Sequence, residues 1–239
     1  MIRTILATTA AAAVAVAATP ATAATGPSAG PLSGAAAVPY GVAAAPAVPY
    51  GVSAGAPVTT IPKDFLLLER KSRKPVKYPD EQRWARSSRT GEPLLLKPCG
   101  ERNAPGAAGR AAARSLYFTE PTVLQGEQLV VYRNEGAARA AMDDLRAKLR
   151  SCSKRGSYHF TASRLRLGDE AVRVVGQTWR GRNKPGVGGE RHIVVRRGSA
   201  IAVYGMYAEY GRPGDAEFRW HQRLASRMAR KLCRYDGGC

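Results

Sequence analysis

Acid, histidine and cysteine are all scarce in this sequence, and each shortage removes a class of chemistry. Eighteen Asp and Glu stand against 37 Lys and Arg. The three histidines, His159, His192 and His221, have no partner at helical spacing, so an H-E-x-x-H metal helix is absent. No G-x-S-x-G elbow occurs, and the four cysteines include no C-x-x-C pair. The glycine-rich run GRNKPGVGG at residues 181–189 lacks the G-x-x-x-x-G-K-[ST] order of a phosphate loop and leads into a strand pattern rather than a helix. Charge is missing altogether from residues 25–62, and no stretch of the chain approaches the ~20 strongly apolar residues that a membrane span needs.

What is present begins with an exported chain. Residues 1–24 have a basic start at Arg3, an alanine-rich apolar run and an A-x-A site at residues 21–23, the pattern of a cleavable signal peptide. No cysteine precedes Cys99, so no thiol is available for a lipid anchor, and the expected location is extracellular. Residues 25–62 are mostly Ala, Gly, Pro, Val and Ser and carry AVPYGV twice, ten residues apart, which reads as a disordered linker. One folded domain is expected over residues 63–239, long enough for one sizeable core.

Loss of the leader with Arg3 leaves 36 basic and 18 acidic residues, a net charge of +18. Such an excess fits an acidic partner, such as an anionic wall polymer, nucleic acid or an anionic membrane surface, although the preference for arginine over lysine, 28 to 9 in the whole chain, also fits a composition bias.

Residues 124–152 are the best-patterned stretch. A short strand ends in the β-branched and aromatic run of residues 129–132, and residues 134–136 supply turn chemistry. A helix follows, with Ala138, Ala141, Met142, Leu145 and Leu149 on one stripe, and with Arg139 to Asp143 and Asp144 to Lys148 as pairs on the wet side. Upstream, residues 64–69 read as a short apolar helix or strand, residues 70–89 as a basic loop pinned by Trp84, residues 103–114 as a surface segment and residues 114–119 as a short strand. Downstream come strands over residues 158–167 and 170–179, a loop at 181–189, and strands at 191–196 and 200–206 joined by Arg197-Gly198-Ser199. Asp215 is placed as the cap of a last helix reaching to about residue 232, whose stripe is Phe218, Ala225, Met228, Ala229 and Leu232. The order predicts an α+β fold, a central antiparallel twisted sheet flanked by helices and stapled by two disulfides.

Of three connectivities the preferred one is Cys99 with Cys152 and Cys233 with Cys239, each pair adjacent in sequence and each joining a helix end to a loop. The aromatic residues Trp84, Trp179, Tyr204 and Tyr207 are the candidates for a ligand cleft. On the outer side of the last helix Arg219, Arg223, Arg227 and Arg230 form a row with anion-binding chemistry. Asp169 and Glu170, adjacent in a tight turn, are the only acidic pair with the makings of a general acid and base.

The run YRNEGAARAAMDDLRAKLRSC, then LGDEAV, then IVVRRGSAIAV and a terminal helix, resembles the PknH-like extracytoplasmic sensor domains of actinobacteria over about residues 66–233. The resemblance implies one domain with a central antiparallel sheet, flanking helices, disulfides between cysteines adjacent in sequence and a cleft for an unidentified ligand. It implies no catalytic residue, no metal and no cofactor. The reading is therefore a secreted, non-enzymatic sensor-type or ligand-binding domain acting at or near the cell wall. Its partner is a small ligand or an anionic wall polymer, with no nucleic acid, and the domain is expected to be a monomer. The alternatives are a hydrolase of acidic polymers with Asp169, Glu170 or a histidine in its site, and an extracellular protein-interaction module working through residues 70–89. Function is expected on the sheet face opposite the helix that ends at Cys152.

Overall fold

The computed structural model describes residues 60–98, 100, 105–181, 184–210 and 214–235, all within one compact unit that spans Val52–Cys239. The signal-peptide assignment and the linker as far as residue 59, with Cys99 and Cys239, lie outside the described residues, while Ile61, at the end of the stretch read as linker, is buried in the core. Eight strands form one wholly antiparallel sheet: β1 (Arg83–Ser87), β2 (Arg110–Glu120), β3 (Val123–Tyr132), β4 (Lys154–Arg155), β5 (Tyr158–Leu165), β6 (Glu170–Arg180), β7 (Lys184–Arg197) and β8 (Ala200–Ala208). Two helices, α1 (Glu135–Ser151) and α2 (Asp215–Lys231), follow β3 and β8. The spatial order is β1-β2-β3-β8-β7-β6-β5-β4. Two meanders, β1 to β3 and β4 to β8, are thus joined side by side through β3 and β8.

Alternation along the strands gives the sheet two apolar faces, and each is covered differently. Leu129, Val131, Ile193, Val195, Ala202 and Tyr204 point to α2, which adds Phe218, Leu224, Ala225, Met228, Ala229 and Leu232, while Ile61, Phe65, Leu66 and Leu68 from the chain before β1 fill the rest. On the other face Val130, Tyr132, Val172, Val174, Val194, Ile201 and Val203 meet α1 together with Leu94 and Leu96. All five residues of the expected α1 stripe are buried, and so are all five of the α2 stripe.

Several boundaries differ from the sequence expectation, for identifiable reasons. Residues 64–69 form turns leading into a 3-10 turn at Lys71–Arg73, because the buried Glu127 carboxylate accepts the N–H groups of Leu67 (2.9 Å) and Leu68 (2.7 Å) and replaces helical bonding. The basic loop holds β1, whose Trp84 packs on Phe118 with ring centroids 5.0 Å apart. β2 starts at Arg110, inside the segment read as surface, and β7 starts at Lys184, inside the segment read as a loop. At β7 the Gln177 side-chain amide donates to the carbonyls of Gly186 and Gly188, tying the glycines to β6 beside a bulge. The cap of α2 is Gly214, with Asp215 as its first residue, and Arg139 pairs with Glu135 (2.7 Å) rather than Asp143, which takes Arg146 (3.3 Å).

The fold class is corrected in one respect, the two covalent staples. Among the described residues no two cysteines stand at bonding distance. Neither Cys152 nor Cys233 is a free thiol. The C-terminal end of α2 is held by Leu232 in the core, by the Phe65–Tyr235 ring contact at 5.6 Å and by Ser199 Oγ donating to the Tyr235 carbonyl.

Two strand glycines matter for packing. A Cβ at Gly126 would come within 2.9 Å of Leu95, and one at Gly205 would collide with the His192 ring. Their absence lets Leu95 and His192 lie on the sheet, where Gln128 fixes the segment by accepting from Leu95 N (2.8 Å) and donating to the Pro93 carbonyl (3.0 Å).

Candidate functional site

A groove of about 710 Å³ opens between α1 and the β5–β6 edge of the sheet. Helical spacing brings Arg139, Asp143, Arg146 and Arg150 along one side of α1, while Phe160, Ala162 and Arg164 alternate onto the facing side of β5. The β5–β6 turn supplies Asp169 and Glu170, and β7 supplies Arg196. Leu149, Phe160, Ala162, Ala171 and Val172 make part of the wall apolar.

The charges in the groove divide into two groups. Arg196, 5% exposed, bonds Glu170 through Nε (2.6 Å) and reaches Asp169 (3.0 Å) and Glu135 (3.3 Å). Glu170 gives its second oxygen to Arg146 (2.6 Å), and Asp169 accepts from Gly198 N (2.7 Å) and lies 3.4 Å from Arg197. Every oxygen of the acidic pair is therefore engaged by a cation or a backbone donor. Arg150 and Arg164 are exposed and have no carboxylate partner among the described residues. The groove thus holds a neutralised floor, an apolar wall and two available guanidinium groups, the donor set that binds carboxylate or phosphate bidentately.

Trp84, Trp179, Tyr204 and Tyr207 do not come together. Trp84 sits on β1, the edge strand at one end of the sheet, while Trp179 lies on β6 with its ring stacked on His159 at 5.9 Å. Tyr204 is fully buried beneath α2, donating to Glu127 Oε1 at 2.6 Å. Burial, with the Glu127 carboxylate beside it, pushes its phenol well above the usual range, and burial likewise raises the Glu127 carboxyl. Tyr207, exposed, projects from the opposite face. The groove itself lies on the α1 side of the sheet, against the expectation of a site opposite that helix.

The histidines belong to the packing. His192 is buried, with Nε2 2.6 Å from Glu190, whose other oxygen accepts from the Tyr158 hydroxyl at 2.8 Å. Burial acts to raise the Glu190 carboxyl, but the His192 bond and charge and the Tyr158 bond outweigh it and bring it below the usual value. His221, on the inner side of α2, is 1% exposed with neither ring nitrogen partnered; burial, and less so the charge of His192, lowers its pKa to about 4. Among the described residues no group of three His, Cys, Asp or Glu is placed to hold a metal ion, and no helix is long and apolar enough to cross a membrane.

Of the groove residues, only Asp169 and Glu170 stand out in the sequence, as an acidic pair in a turn. Arg150 and Arg164 carry no local signal, since each looks like any arginine on a wet face until α1 is laid beside β5. The row of Arg219, Arg223, Arg227 and Arg230 does lie together, exposed along the outer side of α2.

No family model matches the chain, and no curated protein matches it. Among solved structures it is similar to the extracellular domain of PknH from Mycobacterium tuberculosis, with a TM-score of 0.43 and 11% identity over 66% of this chain and 85% of that one. None of the groove residues is assigned from that similarity.

Proposed function

We propose that this protein is a secreted, non-enzymatic ligand-binding domain of the sensor type, and that its ligand is a small anion with an apolar body, held in the groove between α1 and β5–β6. The observation that carries the reading is the pair Arg150 and Arg164, cations with no carboxylate partner among the described residues, beside an apolar wall and above a floor whose own charges already satisfy one another. Two guanidinium groups left open in this way lose little ion pairing when a ligand arrives, so recognition costs no rearrangement of the floor. The leader-like N-terminus and the order of sequence motifs support export and a sensor role.

A hydrolase using Asp169 and Glu170 is less well supported. Both carboxylates line the groove, but they are held by Arg146, Arg196 and Arg197, and no histidine lines the groove beside them. A protein-interaction role for residues 70–89 competes with their structural one, since β1 is part of the sheet.

The test is calorimetric titration of the protein with alkyl and aryl carboxylates, phosphates and sulfates. Saturable binding is expected, weakened at least tenfold in Arg150→Gln/Arg164→Gln. Binding that ignores this double substitution, or the absence of saturable binding across the set, would overturn the reading.

A further inference from the structure

The outer face of α2 carries a second, separate arrangement of cations. Arg219, Arg223, Arg227 and Arg230 flank a shallow depression of about 530 Å³, with Gln222 and Ser226 between them. At a 1.5 Å rise per residue successive members of the row stand ~4.5 to 6 Å apart over ~17 Å of helix. Like charges at these spacings destabilise a helix, and none of the four has a carboxylate partner among the described residues. Arginine abundance does not account for this, because α1 is as long and interleaves its cations with Glu135, Asp143 and Asp144. The row is also on the other side of the sheet from the groove, so occupation of one leaves the other open.

We propose that this face of α2 is a docking surface for a linear phosphodiester polymer built on polyol or sugar units rather than nucleosides. Each guanidinium offers a planar pair of donors to one phosphate, and a chain with one phosphodiester per short polyol unit repeats its charge at about the ~6 Å interval of the row. The depression contains no aromatic side chain, so the stacking platform that single-stranded nucleic acids use is missing. The contact is electrostatic and exposed, which makes it strongly dependent on salt.

The experiment measures binding of the full chain to fluorescent polyglycerol phosphate as salt is raised. The logarithm of the association constant is expected to fall linearly with the logarithm of salt, with a slope of about −0.7 for each phosphate neutralised. Arg219→Gln/Arg223→Gln/Arg227→Gln, all exposed positions, is expected to reduce the magnitude of that slope by about 2 and the low-salt affinity by more than tenfold, with a circular-dichroism melt no lower than the parent's. Arg150→Gln/Arg164→Gln in the groove is expected to change neither quantity, which separates this proposal from the groove reading. A triple variant that keeps the parental slope would overturn the proposal. So would loss in the groove variant instead, or equally tight binding of oligothymidylate or of a polyuronate of matched charge.

Discussion

α1 and α2 are each 17 residues long, and each buries an apolar stripe against one face of the same sheet, but their outer sides follow different rules. On α1, Asn134 caps the first turn by accepting from Ala137 N, and the surface charges alternate in sign. On α2 the cap is a glycine without a side-chain bond, the outward row is all arginine, and an unpartnered histidine is buried underneath. α1 is favoured by its own sequence, whereas α2 is held in place by what it packs against. The repulsion on the wet side of α2 brings no pairing within the described residues, and the polymer contact proposed above is what would offset it.

The buried stripes should be equivalent, and this is where the largest effect is expected. Met142→Ala and Met228→Ala, both at fully buried positions, should each destabilise by about 2–5 kcal/mol in urea unfolding. A near-silent result for either would mean that its helix is not packed as described.

The second effect belongs to α2 alone. The ordinary histidine value of 6.5 falls to about 4 for His221 in the folded protein, so between these values the unfolded chain binds a proton that the folded chain refuses. Its contribution is complete above pH 6.5 and is lost as pH falls towards 4, by about 3 kcal/mol in all. Glu127 works in the opposite sense, since its raised value gives stability at low pH that fades as pH rises above 4.5 through the folded value. The urea midpoint should therefore climb less steeply between pH 4 and 6.5 in His221→Leu than in the parent. An equal climb in both would contradict a neutral buried His221.

The caps should separate the helices by a smaller margin. Asn134→Ala is expected to cost about 1 kcal/mol, measured as a lower urea midpoint with an unchanged slope.

The smallest effect is the most informative one. Arg223→Glu places a carboxylate four residues from both Arg219 and Arg227, making α2 resemble α1, and should raise stability by about 0.5 kcal/mol while abolishing retention of polyanions. A loss of stability with no change in retention would reverse the comparison.

Both helices can be read from the sequence because their stripes are local, recurring every three or four residues, and burial follows that period residue by residue. β2 is harder to read, since RAAARS has none of the branched or aromatic residues that mark strands, and it is extended because β3 bonds it along its length, with β1 joining on the other side from Ser115 onward. Glu127 and Gln128 look like the solvated end of a strand. They are fully buried because partners some 60 and 33 residues upstream donate to them. The groove is hidden for the same reason, as its arginines come from α1, β5 and β7 and acquire meaning only by adjacency. Asp169 and Glu170 are visible as a pair, but the cations that neutralise them are not. The α2 row is legible in full, because a single helix carries all of it.

The place of β8 between β3 and β7 has a consequence for how the chain comes to exist. Val131 lies opposite Ala200 and Val123 opposite Ala208, so the seam that unites the two meanders is made from residues distant along the chain and is closed by the last strand. Until β8 arrives, β3 presents an open hydrogen-bonding edge of ten residues, the kind of edge that recruits strands from other molecules. Such long-range pairing is slow to form. For a chain that emerges from its N-terminus, the interval between completing β3 and completing β8 is the period of greatest exposure to aggregation, and substitutions that weaken β8 should show first as poor yield rather than as a low melting temperature.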